Sequence, residues 1–122
     1  MGRIIAYNIR DEKADRVRCL CRKHSIPLLE ASDAMHGRRI ADILDGAIGN
    51  DGVGQKLFDD EMLLFDGIDD DLLHVLLREV RQAGGVELKA VVTPFNRLWT
   101  SLQLRNELLR EQAEMLRAMA NK

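Results

Sequence analysis

The chain has 122 residues, of which 46% are hydrophobic and 31% are charged, with 18 Lys and Arg against 20 Asp and Glu. This length suits one domain of residues 1–122, and the apolar content is sufficient for a core. The net charge of −2 excludes a generally basic nucleic-acid binder, and no apolar run approaches the roughly 20 residues that a membrane span needs.

Charge is distributed unevenly along the chain. Residues 1–40 carry nine basic and five acidic side chains, residues 41–87 carry three and twelve, and residues 88–122 carry six and three. Segments of opposite sign can attract each other within one fold or between copies of the chain. The N-terminus lacks the apolar region of a secretory signal, and Cys19 and Cys21 form no disulfide framework, so we expect a cytoplasmic protein.

The first 31 residues predict a strand, a helix and a second strand. Arg3–Ile9 is short and apolar with β-branched residues, which predicts the first strand. Ile26–Ala31 predicts the second strand, and Pro27 is tolerated near its start. Between them, Asp11–His24 has helical periodicity. Its apolar positions recur at steps of three and four: Ala14, Val17, Leu20, Cys21 and His24.

Residues 32–60 differ in character from the segments on either side. Apolar side chains from Ile40 to Ile48 follow helical spacing, which predicts a short amphipathic helix. The glycine-rich residues 49–54 should end that helix in a flexible loop.

The second half begins with the same order of elements. Met62–Asp66 predicts a strand, and Asp69 predicts an N-cap for a helix that Gly84 and Gly85 end. Leu88–Thr93 predicts a fourth strand. The expected buried stripe of the helix is Leu72, Leu73, Leu76, Leu77 and Val80.

The last helix has the clearest start signal in the chain. Thr100 and Gln103 have the spacing of a capping box, and Trp99 and Leu104 have that of a hydrophobic staple. The helix should cover residues 100–120. Its apolar residues form a stripe that is wide for a small domain.

The two strand–helix–strand blocks superimpose without gaps at an offset of 59, which predicts a pseudo-repeat of residues 3–31 and 62–93. Two βαβ units favour an α/β (α+β) fold, a ferredoxin-like βαβ-βαβ sandwich with an insertion at 32–60 and an added C-terminal helix. A small doubly wound, flavodoxin-like sheet is the alternative. Charged residues within the predicted strands, such as Lys89 and Glu30, weigh against it.

Residues 88–100 place many residue types at fixed spacing: Leu-Lys-Ala-Val-Val-Thr-Pro-Phe-Asn-Arg-Leu-Trp-Thr. This stretch, within residues of about 62–109, resembles a bacterial family catalogued as domain of unknown function 3783. That family's pattern is similar to LKAV-x-TP-x-N-x-x-WT before a Leu- and Glu-rich helix. Phe95 departs from it, because the family more often has a small polar residue there. The resemblance implies a small cytoplasmic bacterial protein and no activity.

The turn between the fourth strand and the last helix is the best candidate site. Because it leads into a helix N-terminus, its backbone N–H groups could hold an anion beside an aromatic wall. In the structural alternative the same residues shape the turn, cap the helix and pack. The candidate residues are Thr93, Pro94, Asn96, Arg97, Trp99 and Thr100.

Other motifs have simpler explanations, so we predict no metal, cofactor or catalytic residue. Cys19 and Cys21 are two residues apart on a helix and point in different directions, which opposes a shared ion. The acidic residues 59–61 and 66–71 lack EF-hand spacing and are largely explained by helix capping. The glycines before Lys56 do not form a phosphate-binding loop, because Gln55 intervenes.

These observations favour a non-catalytic module that acts through protein contacts, chiefly homo-oligomerisation by the last helix. The alternative is a regulatory domain that binds a small ligand or anion at residues 93–100. An enzyme is the weakest hypothesis, since no reaction class has its full set of groups. A basic cluster lacks the stacking aromatics of a nucleic-acid surface, so we expect no nucleic acid as a partner; its residues are Arg16, Arg18, Arg22, Lys23, Arg38 and Arg39. We expect no membrane partner either, because no apolar run is long enough to span one.

Overall fold

A computed structural model of the chain describes residues 2–46 and 54–121. Within these two ranges, four strands and four α-helices make up the regular structure. In chain order they are β1 (Arg3–Tyr7), α1 (Asp11–Lys23), β2 (Leu28–Ala31), α2 (Ile40–Leu44), β3 (Met62–Asp66), α3 (Asp70–Gln82), β4 (Leu88–Val91) and α4 (Ser101–Ala120). Two short 3₁₀ helices, Asp33–Gly37 and Asn96–Leu98, precede α2 and α4. None of the helices in the described ranges is both long enough and apolar enough to cross a membrane.

The strands form one mixed sheet in the order β2-β1-β3-β4. Each outer strand pairs in parallel with the strand that precedes it in the same half of the chain, and β1 and β3 pair antiparallel in the centre, with Ile5 opposite Leu64. The predicted α/β (α+β) class is confirmed. The ferredoxin-like arrangement is not, because β1 and β2 pair directly, whereas a split βαβ unit places another strand between them. The antiparallel centre also differs from the all-parallel flavodoxin-like alternative.

The helices begin and end where local chemistry favours it. The Asp69 carboxylate accepts a hydrogen bond from the Leu72 N–H at 2.9 Å and so caps α3, and Asp70 and Asp71 occupy its first turn beside the positive end of the helix dipole. At the other end, Gly84 and Gly85 have φ of 117° and 78°, which glycine adopts without steric strain.

The core of the sheet lies under α1 and α3. Val17, Leu20 and Cys21 of α1 and Leu76 and Val80 of α3 belong to one buried cluster with side chains of β1 and β3. The predicted apolar faces of both helices are therefore confirmed. Four consecutive residues of β1 and four of β3 are buried, so both faces of the central strands are shielded from water.

The described residues group into two compact units. The first contains those of Met1–Ser32 and Asp59–Thr93, and the second contains those of Asp33–Phe58 and Pro94–Lys122. The chain therefore passes from one unit to the other three times. The segments predicted as an insertion and an added helix together make the second unit. That residues 1–122 form one domain stays a prediction.

The two halves of the first unit share unusual backbone geometry. Helices α1 and α3 have 13 residues each and begin 59 positions apart. Positive φ values recur at that offset: 60° at Asn8 and 67° at Gly67, then 55° at Ser25 and 117° at Gly84. Non-glycine residues with positive φ are uncommon. The pseudo-repeat of residues 3–31 and 62–93 itself stays a prediction.

The second unit joins its two segments by a reciprocal backbone contact. The Ile40 N–H donates to the Trp99 carbonyl at 2.9 Å, and the Ser101 N–H donates to the Arg38 carbonyl at 3.0 Å. These bonds form an isolated antiparallel β-bridge between Arg39 and Thr100. Helix α2 begins directly after Arg39, and α4 begins directly after Thr100. The helix predicted from Ile40 ends at Leu44; Ala47, Ile48 and the predicted loop at 49–53 lie outside the described residues.

Candidate functional site

The candidate turn is divided between the two units. Thr93 ends the first unit, and Pro94 begins the corresponding segment of the second. Within the second unit Asn96 is buried in a 3₁₀ turn, whereas Phe95 is 79% exposed and Trp99 is 36% exposed. The turn therefore presents its aromatic side chains to solvent and hides its amide.

The N-terminus of α4 already satisfies much of its own backbone. The Thr100 Oγ1 accepts from the Gln103 N–H at 3.1 Å, and the Gln103 Oε1 accepts from the Thr100 N–H at 2.8 Å, which confirms the predicted capping box. The Ser101 N–H is engaged with Arg38. Because these donors are used internally, the geometry favours the structural interpretation of the turn. Ligand binding by Thr93, Pro94, Asn96, Arg97, Trp99 and Thr100 stays a prediction.

We expect Thr100→Ala to lower the free energy of unfolding by about 1 kcal/mol. The substitution removes the hydroxyl that accepts from the Gln103 N–H, and half-buried Thr100 is not one of the buried core residues. Urea denaturation measures the change. Thr100→Ser keeps the hydroxyl and is the control. Equal stability of the two variants would contradict a capping role.

The C-terminal part of α4 is exposed to solvent along most of its length. Leu104 is buried and Leu108 and Leu109 are half-buried, but every residue from Arg110 to Ala120 is exposed. Among them, Met115 and Leu116 are each 66% exposed and Met119 is 63% exposed. Large apolar side chains at this exposure mark a surface that something else can cover.

The opposite side of α4 carries an ion-pair network. Arg110 pairs with Glu107 one turn before it and with Glu114 one turn after it. The hydrogen bond from Arg110 holds the pKa of Glu107 below its usual range, and the same hydrogen bond raises the pKa of Arg110. Such pairs stabilise an exposed helix by a few tenths of a kcal/mol. The charged side chains of α4 therefore interact with one another on one side of the helix, and the apolar side chains lie on the other side.

A buried histidine that the sequence did not single out organises the second unit. His36 is fully buried in the first 3₁₀ helix, and its Nδ1 accepts a hydrogen bond from the Leu57 N–H at 3.1 Å. Its ring stacks on Phe58 with centroids 4.1 Å apart, and the Arg105 guanidinium lies 5.8 Å from the Phe58 centroid. A lone histidine in a polar turn gives no periodic signal, so burial could not be inferred from sequence.

The two cysteines differ in environment. Cys19 is exposed and Cys21 is buried, and both are free thiols. Burial raises the pKa of Cys21 to about 11. The side chains therefore point apart, as their spacing on α1 predicts. Among the described residues, no group of three or more His, Cys, Asp or Glu is placed to hold a metal ion.

We expect one thiol of the folded chain to react with a thiol reagent such as DTNB at pH 8. Only about one Cys21 side chain in a thousand is ionised there, because its pKa is about 11. Both thiols should react after unfolding in denaturant. Cys19→Ser should abolish the fast reaction and Cys21→Ser should preserve it. Equal rates for both thiols in the folded chain would contradict the burial of Cys21.

Comparisons with known proteins place the second half of the chain in context. Neither curated proteins nor solved structures gave a match. A family model described as Domain of unknown function (DUF3783) matches residues 61–115. The matched region begins one residue before β3 and ends within α4. Resemblance to this family of unknown function is therefore shown for residues 61–115.

Proposed function

We propose that this chain is a non-catalytic self-association module in which α4 of one molecule packs antiparallel on α4 of a second copy. One observation carries the proposal: the apolar face of α4 from Leu108 to Met119, most of which is exposed. Helices with an unpaired apolar stripe commonly bury it against another helix.

Four residues of the apolar face are arranged symmetrically about Gln112. Leu109 and Met115 lie three residues before and after it, and Leu108 and Leu116 lie four residues before and after it. Residues three and four apart share one side of a helix. An antiparallel second copy centred on Gln112 therefore places Leu108 beside Leu116 and Leu109 beside Met115. A two-fold interface needs this kind of self-complementary surface.

The charges of α4 permit the same pairing. Residues 105–117 carry three arginines and three glutamates, so two copies of this segment do not repel each other through net charge. Arg110 forms ion pairs with Glu107 and with Glu114 on the side of the helix away from Gln112. A helix that binds an anionic membrane surface is rich in Lys and Arg on its polar face. The balanced charge of α4 therefore favours a protein partner.

Two variants with the same charge change test this arrangement. Leu116→Glu places a carboxylate in the proposed interface and should shift the chain to monomer at concentrations where the unmodified chain is dimeric. Ala118→Glu adds the same charge two residues away, off the apolar face, and should leave the dimer unchanged. Sedimentation velocity at matched concentrations separates the species. If both variants stay dimeric, α4 is not the interface.

A further inference from the structure

We propose that the groove between α1 and α3 binds a small phosphorylated ligand. The groove has a volume of about 540 Å³ and is lined by side chains of the two helices that lie side by side on the sheet. Sites for small molecules are concave and commonly occupy 300–1,000 Å³ between packed elements. None of the lining residues belongs to α4 or to residues 93–100, and the proposal goes beyond self-association.

The groove has an excess of positive charge. Arg16, Lys23 and Arg78 line it, and Glu79 is the one carboxylate among its lining residues. Glu79 is already engaged, since it accepts from Lys23 Nζ at 2.9 Å and lies 3.1 Å from His24 Nε2. The hydrogen bond from Lys23 lowers the pKa of Glu79, so this carboxylate stays ionised and holds Lys23. Two guanidinium groups are left to act on a ligand.

Arg16 and Arg78 differ in their hydrogen-bond partners. Arg16 Nη1 donates to the Ala83 carbonyl, just after the end of α3, at 3.3 Å, and this bond holds the guanidinium across the groove. The second contact of Arg16 is a solvent-exposed 3.8 Å ion pair with Glu12, which contributes little to the free energy of folding. Arg78 is exposed, and within residues 2–46 and 54–121 it takes part in none of the ion pairs or hydrogen bonds. A planar guanidinium with no partner among the described residues is suited to bidentate binding of a phosphate.

The apolar lining residues of the groove favour a ligand that has an uncharged part in addition to its anionic group. Leu20 and Ala83 are apolar side chains of the lining, and Leu20 also belongs to the buried core cluster of the sheet. A phosphate group can reach Arg16 and Arg78 while an uncharged part of the same molecule covers these apolar atoms. The chemical class that satisfies both requirements is a small phosphorylated metabolite.

Calorimetric titration of the full chain with inorganic pyrophosphate, at a salt concentration of about 25 mM, tests the proposal. We expect saturable binding of one pyrophosphate per chain. Arg78→Ala should weaken it at least tenfold, and Arg78→Lys should restore only part of the loss, because lysine keeps the charge without the fork. Far-ultraviolet circular dichroism checks that each variant is folded.

Arg81→Ala is the matched control, because Arg81 is an exposed arginine of the same helix that does not line the groove. It should weaken binding by about threefold at most, because an arginine outside the groove acts on the ligand only through longer-range charge and donates no direct charge-assisted hydrogen bond to it. The proposal is overturned if pyrophosphate does not bind saturably. It is also overturned if Arg81→Ala and Arg78→Ala weaken binding equally, because that result would indicate diffuse attraction to the helix surface.

Discussion

Phe65→Ala is expected to lower the free energy of unfolding by about 3–5 kcal/mol. Phe65 lies on the central strand β3, is 1% exposed and belongs to the cluster that joins the sheet to α1 and α3. Truncation removes apolar contacts and leaves a cavity, and the surrounding strands can relax only partly because they are paired on both sides. Urea denaturation followed by circular dichroism measures the change.

Phe95→Ala provides the same chemical change at a surface position. Phe95 is 79% exposed, so its removal should alter the free energy of unfolding by no more than about 0.5 kcal/mol. The large difference between two identical substitutions is the diagnostic result. Similar losses for the two variants would contradict the description of β3 as the centre of the core.

His36→Ala is expected to produce the second large loss, about 2–4 kcal/mol. The substitution removes a fully buried ring that stacks on Phe58 and removes the acceptor of the Leu57 N–H. The segment that contains Leu57 and Phe58 should therefore lose its attachment to the first 3₁₀ helix. Thermal and urea unfolding report the change in stability.

Two further variants separate the contributions of His36. His36→Phe keeps a ring for stacking and removes the acceptor, whereas His36→Asn keeps a side-chain acceptor and removes the aromatic ring. Each should be more stable than His36→Ala, because each retains one of the two contacts. If all three variants match the unmodified chain within about 0.5 kcal/mol, His36 does not organise this unit.

Features that depend on neighbours in sequence could be predicted. Asp69 and Thr100 cap their helices through N–H groups three residues away, and both caps were inferred from spacing alone. The sequence predicts β3 at its observed bounds, Met62–Asp66, because a short apolar run stands there between turn signals. Local chemistry is sufficient for these features.

Features that depend on distant segments could not be predicted. In the structure, β1 pairs directly with β2, and Ile5 pairs antiparallel with Leu64. Hydrophobic periodicity identifies the strands, but it is equally compatible with other strand orders in the sheet. The bridge between Arg39 and Thr100 involves only a few backbone atoms, which leave no pattern in the sequence. His36 belongs with these features, because the partners that bury it follow about 20 residues later.

The mass of the unmodified chain in solution tests the central claim of self-association most directly. Multi-angle light scattering after size exclusion, at micromolar protein concentration, should give about twice the chain mass of 13.8 kDa. The apolar face of α4 is then covered by a second copy. A monomer of 13.8 kDa across the micromolar range would contradict the account, because that face would remain exposed in the functional protein.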